Sequence, residues 1–469
     1  MPRVIAYDFA RLFIGPIFHT PRGIDRVDLA VAQQLFKDDT SPNLGILPTP
    51  WGVRAFPAKV IRRWLANLNM LWADDIEIER DPQLLGLIRK VRRGTERAQS
   101  SPLDKLCCPS ALSLPRKASR VLGQLQFTDI WLGRCARRTV PEGSAYLNIG
   151  QIGLAVPIFH NWLARRRDIT CAMMLHDAIP LEHPHLVPAG ADAHHARMIR
   201  TAARHADCLI FNSVASRDSV NHAMDRLERV QLPGMVRALP LPKAFFKVRT
   251  SLPALADTHY FVVVSTIEPR KNQELLIRVW GRLFDKMGKH APHLMIVGSL
   301  GHDAERILAP LDARPLLRRR IHVVSGLSSP ALASLVLGAA GMLCPTWTEG
   351  FGLPLLEANA MGVPAIVSDI PAHREFGYKN TTYLPCDDDI LWEKAILATR
   401  PVGLRERPPL SPNLTQAAYC DDIMAYLDRT PPSLRSQRIH LAPAEAETNQ
   451  YETLEKIGKF YKLKRVIES

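Results

Sequence analysis

Short apolar runs alternate with longer stretches whose apolar positions recur at helical spacing, and that alternation predicts a parallel α/β architecture. In the first half the runs predict strands at Val4–Tyr7, Leu44–Leu47, Ala145–Ile149, Ile169–Leu175, Cys208–Phe211 and Val236–Leu239. In the second half they predict strands at Tyr260–Val264, Leu294–Val297, Ile321–Val324, Met342–Cys344 and Ala365–Val367. Between them, Leu275, Leu276, Val279, Trp280 and Leu283 form one face of a helix, as do Val27, Ala30, Val31 and Leu35 near the start. A polar, proline-containing stretch near 240–257 separates the two series. The division expected is 1–245, 246–410, a helix over 411–430 returning to the first domain, and a basic tail over 431–469. No repeat of short period suggests a solenoid.

Three regions break the pattern. Residues 88–120 carry nine Lys/Arg against Glu96 and Asp104, with Ser and Pro interspersed, and read as a mobile, partly helical insertion. Residues 400–412 read as a Pro-rich connector, and the last twenty residues as an amphipathic basic segment. A length of 469 residues suits two domains. A 46% hydrophobic content and a mean hydropathy of -0.06 exclude a disordered chain. The excess of 60 Lys+Arg over 46 Asp+Glu, a net charge of +14, favours anionic partners without choosing among them. Eight scattered cysteines with no CxxC pair suit a reducing compartment and no zinc site. The N-terminus lacks the apolar core of a signal peptide, and no apolar run reaches the roughly 18 residues of a spanning helix. A cytoplasmic protein is expected.

The most informative stretch is PTWTEGFGLPLLEANAMG, from Pro345 to Gly362. A strand ends at a Pro-Thr turn, Glu349 follows in a glycine-containing loop, and Pro354 opens a helix where its missing N–H costs least. Glu357 is expected on that helix's first turn. Both carboxylates then face the C-terminal edge of the sheet, where open α/β sheets bind ligands. The backbone amides of Phe351, Gly352 and Leu353 would converge there as an anion site. An ordinary βα turn with two solvated carboxylates would leave the glycines and the proline unexplained. The E-x7-E pattern in EGFGLPLLEANAMGVPAIVSDI resembles retaining glycosyltransferases of family 4. That resemblance implies the GT-B fold, two Rossmann-like domains whose parallel sheets face a central cleft.

A second motif, STIEPRKNQELLIRVW, delivers Arg270 and Lys271 to the same kind of edge, with Asn272 placed to start the next helix. Two cations there would neutralise charge on a departing nucleoside diphosphate, and the resemblance implies that they contact the donor's diphosphate. In MMLHDAIPLEHPHL, His176 and Asp177 directly follow a strand. A capping Asp beside a structural His would also explain that pair, but the resemblance favours the functional reading: it places His176 by the donor sugar, its backbone carbonyl near the reacting carbon, with Asp177 in an acceptor or phosphate loop. His183 and His185 suggest an acceptor-side loop, and His194 and His195 a helix surface. Near the start, the resemblance implies a loop with Gly15 and Gly23 that touches donor phosphates or acceptor. HTPRGIDRV stands where many members have paired glycines, which leaves Gly23, Asp25 and Arg26 between that role and an ordinary βα loop. Asn212, Ser213 and Ser216 read as structural helix capping, and Asp387–Asp389 as a solvated loop, not a metal-binding DxD. The resemblance covers about 1–28 and 145–428.

The resemblance implies sugar transfer from a nucleotide-sugar co-substrate with retention, to a glycan or lipid-linked oligosaccharide acceptor, with no metal, no cofactor and no nucleic-acid partner. Arg270 and Lys271 would stabilise the leaving group, Glu349 orient the sugar, Glu357 bind the ribose and His176 line the reacting centre. TIEPRKN-type sequences resemble bacterial mannosyltransferases of lipopolysaccharide or exopolysaccharide synthesis, so GDP-mannose leads, with UDP- and dTDP-sugars open. Two other readings stand beside this one: a catalytically inactive sugar-nucleotide or nucleic-acid binding protein, and a phosphorylase-like enzyme for whose pyridoxal cofactor no motif is seen. The basic tail suggests peripheral attachment to an anionic membrane surface at the inner face of the cytoplasmic membrane.

Overall fold

The computed structural model describes residues 3–18, 23–49, 51–72, 77–92, 133–400 and 412–431. They form two sheets. The first contains β1 (Ile5–Asp8), β2 (Leu44–Thr49), β3 (Gly52–Pro57), β4 (Arg134–Cys135), β5 (Ala145–Asn148), β6 (Thr170–Met174), β7 (Cys208–Phe211) and β8 (Gly234–Val236). Their order is β4-β3-β2-β1-β5-β6-β7-β8, parallel except for the β3 and β4 edge. The second contains β9 (Tyr260–Val264), β10 (His293–Val297), β11 (Ile321–Val324), β12 (Gly341–Cys344), β13 (Ala365–Ser368) and β14 (Thr381–Leu384), all parallel, in the order β11-β10-β9-β12-β13-β14. In each sheet the order reverses once, between β1 and β5 and between β9 and β12. Such a reversal opens a crevice at the carboxyl ends of the strands.

Parallel strands buried on both faces read as continuous apolar runs, which is why most strands stand close to where hydrophobicity predicts them. The run Val236–Leu239 is displaced, since β8 ends at Val236. Three strands at or next to a sheet edge carry no such run. β3 turns back on β2 through Gly52, at φ +100°, and β4 is two exposed residues. β14 is only partly buried. The stretch after β1 is not the predicted glycine loop throughout: Ala10–Phe18, Gly15 included, is helical.

Helices sandwich both sheets. Val27, Ala30, Val31 and Leu35 are buried, as are Leu275, Leu276, Val279, Trp280 and Leu283. Two segments cross between the halves. The Gln416–Arg429 helix inserts Tyr419, Cys420, Ile423 and Leu427 into the first half's core, and Thr170 Oγ1 donates to the carbonyl of Thr430 at 3.0 Å. In the other direction, the Pro82–Arg92 helix lays Leu84, Leu87 and Val91 on the second sheet's core. Asp81 caps it, accepting from Gln83 N and Leu84 N, and also accepts from Ser328 N of the second half at 2.8 Å. This placement differs from the expected assignment of residues 77–92 to the first domain. Their apolar stripe finds its partner surface on the other sheet. Residues 88–92 of the basic stretch are the last turn of this helix; 93–120, most of the 400–412 connector and the basic tail lie outside the described residues.

Candidate active site

β9 and β12 flank the reversal in the second sheet, and each ends in one of the two charged motifs. After β9 the chain makes a tight turn over Pro269–Lys271. Its position is held from the β12 side, because Trp347 N and Thr346 Oγ1 both donate to the Arg270 carbonyl at 2.9 Å. Asn272 stands at the head of the following helix as expected, but its side chain makes no capping hydrogen bond. It takes a left-handed conformation, φ +53°, and its carboxamide donates to the carbonyls of Pro345 at 3.0 Å and Cys386 at 2.7 Å, stitching three loops together.

The consequence is a charge cluster. Arg270 Nη1 donates to Glu349 Oε2 at 3.0 Å, and Lys271 Nζ donates to Glu349 Oε1. Arg270 also reaches Glu268 at 2.9 Å and the Thr348 carbonyl at 3.0 Å. The three side chains keep only 13–18% of their surface exposed. Burial works against the Glu349 charge, but Lys271 and Arg270 outweigh it and hold the carboxyl at about 2. Burial likewise opposes the Arg270 charge, yet Glu349 and Glu268 raise its pKa further.

Beyond Glu349 the chain turns through Gly352, at φ +86°, into the Leu353–Ala360 helix, with Pro354 in its opening turn. Because that helix starts at Leu353, Glu357 lies one residue past the first turn, not on it. Its side chain is buried, and burial pushes its carboxyl up to about 7, moderated by Arg26 of the first half. Phe351, Leu356 and Ala360 pack with the first half's core. Gly23, at the head of the Gly23–Leu35 helix, stands where a Cβ would lie 3.3 Å from Leu353 Cδ2. Gly23, Arg26, Leu353 and Glu357 therefore meet where the halves face each other. Asp25 does not join them: it is fully buried and paired with Arg11 at 2.6 Å.

His176 follows β6 and is buried. Its Nε2 lies 3.0 Å from the Ile149 carbonyl and therefore carries the proton, leaving Nδ1 as the acceptor. Burial lowers its pKa to about 4, so the ring is neutral at physiological pH. Its backbone carbonyl accepts from Ser216 Oγ at 2.6 Å and Asn212 Nδ2 at 3.3 Å. Ser213 is the N-cap of the Val214–Glu228 helix, accepting from Ser216 N at 2.8 Å. Capping is not its whole role, because its hydroxyl also donates to the Gly350 carbonyl, from which Ser216 Oγ stands 2.8 Å. Glu375 of the second half accepts from Val214 N at 2.9 Å. Sequence reasoning missed this clamp because FNSVAS signals a cap and nothing more. Asp177 Oδ1 accepts from Ile179 N at 3.1 Å, and His195 is not a bare surface residue, since its Nε2 lies 3.2 Å from the Asp177 carbonyl. Asp388 caps the Asp389–Ala398 helix, and Asp389 pairs with Arg278.

Among the described residues, no cluster of three or more His, Cys, Asp or Glu is placed to hold a metal ion, and no helix is long and apolar enough to cross a membrane.

Residues 246–387 match the family of glycosyl transferases group 1. The serotype-specific mannosyltransferase WbdA of Escherichia coli is 26% identical over 223 residues, 45% of this chain and 27% of WbdA. The O-antigen chain mannosyltransferase RfbU of Salmonella typhimurium is 27% identical over 143 residues, 29% of this chain and 37% of RfbU. The matched stretch thus spans about a quarter of the length of WbdA and just over a third of RfbU. Among solved structures, Anabaena HepE in complex with UDP-glucose superimposes with a TM-score of 0.51 at 15% identity, covering 93% of this chain and 98% of HepE. That likeness gives the fold, GT-B, in which the two sheets described above are the two halves. The chain therefore carries, over residues 246–387, a glycosyl transferases group 1 domain homologous to O-antigen mannosyltransferases.

Proposed function

We propose that this chain is a retaining glycosyltransferase that moves a sugar, mannose favoured, from a nucleoside-diphosphate donor to a glycan or lipid-linked acceptor in bacterial surface polysaccharide synthesis. The observation that carries this reading is the gathering of Arg270 and Lys271 on Glu349 at the second sheet's reversal. The names of WbdA and RfbU favour mannose. Two desolvated cations suit a leaving group that accumulates negative charge, and such preorganised electrostatics is commonly the largest catalytic contribution. The bond from the anomeric carbon to the phosphate oxygen breaks through an oxocarbenium-like state. The acceptor oxygen bonds to the same face, and its proton passes to the departing phosphate. Glu349 orients the sugar, Glu357 binds the ribose, the Gly352 turn receives the diphosphate, and the His176 carbonyl lines the reacting carbon. No metal ion is required in this scheme. The test is turnover of GDP-mannose, UDP-glucose and a dTDP-sugar by the purified full chain, with the anomer of the product read by NMR. Turnover of none of them, or an inverted anomer, overturns the reading.

The tail supplies the membrane contact in this reading. Lys456, Lys459, Lys462, Lys464 and Arg465 interleave with Ile457, Phe460, Leu463 and Val466, and each cation near an anionic leaflet contributes about 1 kcal/mol. Salt-sensitive sedimentation with anionic liposomes, lost on deletion of residues 450–469, is the expected result. Full-length protein left in the supernatant at low salt overturns it.

A further inference from the structure

His373 belongs to no motif read from the sequence, yet it lies against the Gly352 turn. It sits on the short Pro371–Phe376 helix that follows β13, and it is almost wholly buried. Its Nδ1 is 2.8 Å from the backbone carbonyl of Ser368. A carbonyl only accepts, so Nδ1 carries the proton and the neutral ring's lone pair is on Nε2. Nε2 makes no hydrogen bond among the described residues. A Cβ on Gly352 would lie 3.2 Å from His373 Cδ2 and 3.6 Å from Nε2, so the ring packs directly against this turn, whose φ of +86° favours glycine. Its charged neighbours are Glu349 and Lys271. The same helix is anchored on both sides, by Phe376 against Phe351 at 4.3 Å between ring centroids and by Glu375 on the head of the Val214–Glu228 helix. The ring is thus held in one orientation.

We propose that His373 is a donor-recognition residue whose Nε2 accepts a hydrogen bond from a hydroxyl of the transferred sugar, on the side of the Gly352 turn that Glu349 occupies. The inference rests on the donor reading given above. A neutral acceptor nitrogen pairs with a hydroxyl and not with a phosphate oxygen, which has no proton to give. Burial lowers the pKa of His373 and so keeps it in that form. Glu349, which orients the sugar in the donor reading, acts on this ring together with Lys271, so the sugar's hydroxyls are the partners proposed here and not the ribose's.

Three variants separate recognition from packing. His373→Gln restores an acceptor near the Nε2 position, His373→Asn keeps only a donor for Ser368, and His373→Phe keeps only the ring. With GDP-mannose and UDP-glucose as probes, kcat/KM falls at least about tenfold in the Asn and Phe variants and stays within about threefold of wild type in the Gln variant, the scale of one lost hydrogen bond to a buried partner. Affinity for free GDP and UDP, measured by calorimetry, stays within about twofold throughout, because neither carries the sugar. Wild-type kcat/KM in the Asn and Phe variants overturns the inference, as does a parallel fall in free-nucleotide affinity, which would make His373 a packing residue. If the wild type itself neither binds nor turns over these donors, the donor reading fails first, and the wild-type arm shows this directly.

Discussion

Ser216, in the first turn of a first-half helix, places its hydroxyl oxygen 2.8 Å from the carbonyl of Gly350 in the second half, while 2.6 Å from the carbonyl of His176. The loop that carries Glu349 and the loop that carries His176 thus meet at one hydroxyl. Gly350 permits this approach, for a Cβ there would stand 2.5 Å from the His176 oxygen. Gly350→Ala is expected to force the loops apart and lower turnover at least about tenfold with the far-UV circular dichroism unchanged, since misplacement of about an ångström costs that much or more. Wild-type turnover in that variant would show that the contact has no part in assembling the site.

The charge cluster gives a second expectation. Glu349→Gln leaves two buried cations short of a counter-charge, and Lys271→Ala removes one of the charges that the proposed mechanism offers to the leaving group. Each is expected to lower kcat at least about a hundredfold, the scale of a lost electrostatic contact to the transition state. Glu357→Ala, at the interface beside Arg26, is expected to raise the donor KM more than it lowers kcat. Steady-state kinetics of the three variants, each checked for folding, decides both assignments.

Asp28 gives a pH dependence whose sign can be worked out. It is fully buried in the first half, accepting from the Tyr7 hydroxyl, and burial raises its carboxyl to about 7. The folded state holds a proton there that the unfolded chain releases near its ordinary pKa of 3.8. Its contribution is therefore most favourable below that value and is lost as pH rises toward about 7. Asp28→Asn is expected to gain melting temperature relative to wild type as pH rises from 4 to 7, with no further gain beyond. Thermal denaturation across that range checks it, and a pH-independent difference would contradict the buried neutral carboxyl.

Chelation tests the metal-free scheme. In the proposed scheme Arg270 and Lys271, gathered on Glu349, do the work that a divalent cation would otherwise do at a diphosphate. Turnover is expected to survive excess EDTA, and loss of activity restored by Mg²⁺ or Mn²⁺ would require a metal in the reaction.

The sequence by itself determined what adjacent residues dictate. Strands such as Tyr260–Val264 declare themselves because a parallel strand buried on both faces must be apolar throughout, and the residues just past each strand must lie at the sheet's carboxyl edge. That local logic places Arg270, Lys271, Glu349 and His176 at strand ends. Tertiary structure decided which ends are neighbours. Lys271 meets Glu349 across 78 residues only because β9 and β12 pair at the reversal, and no spacing in the chain states that. The same limit explains why Ser216 looked like a cap, why Asp25 turned inward to Arg11, and why the Pro82–Arg92 helix crossed to the other sheet. Hydrogen-bond partners and the burial of an apolar stripe depend on which surfaces the fold brings within a few ångströms, and that is a property of the packed halves, not of the order of residues along them.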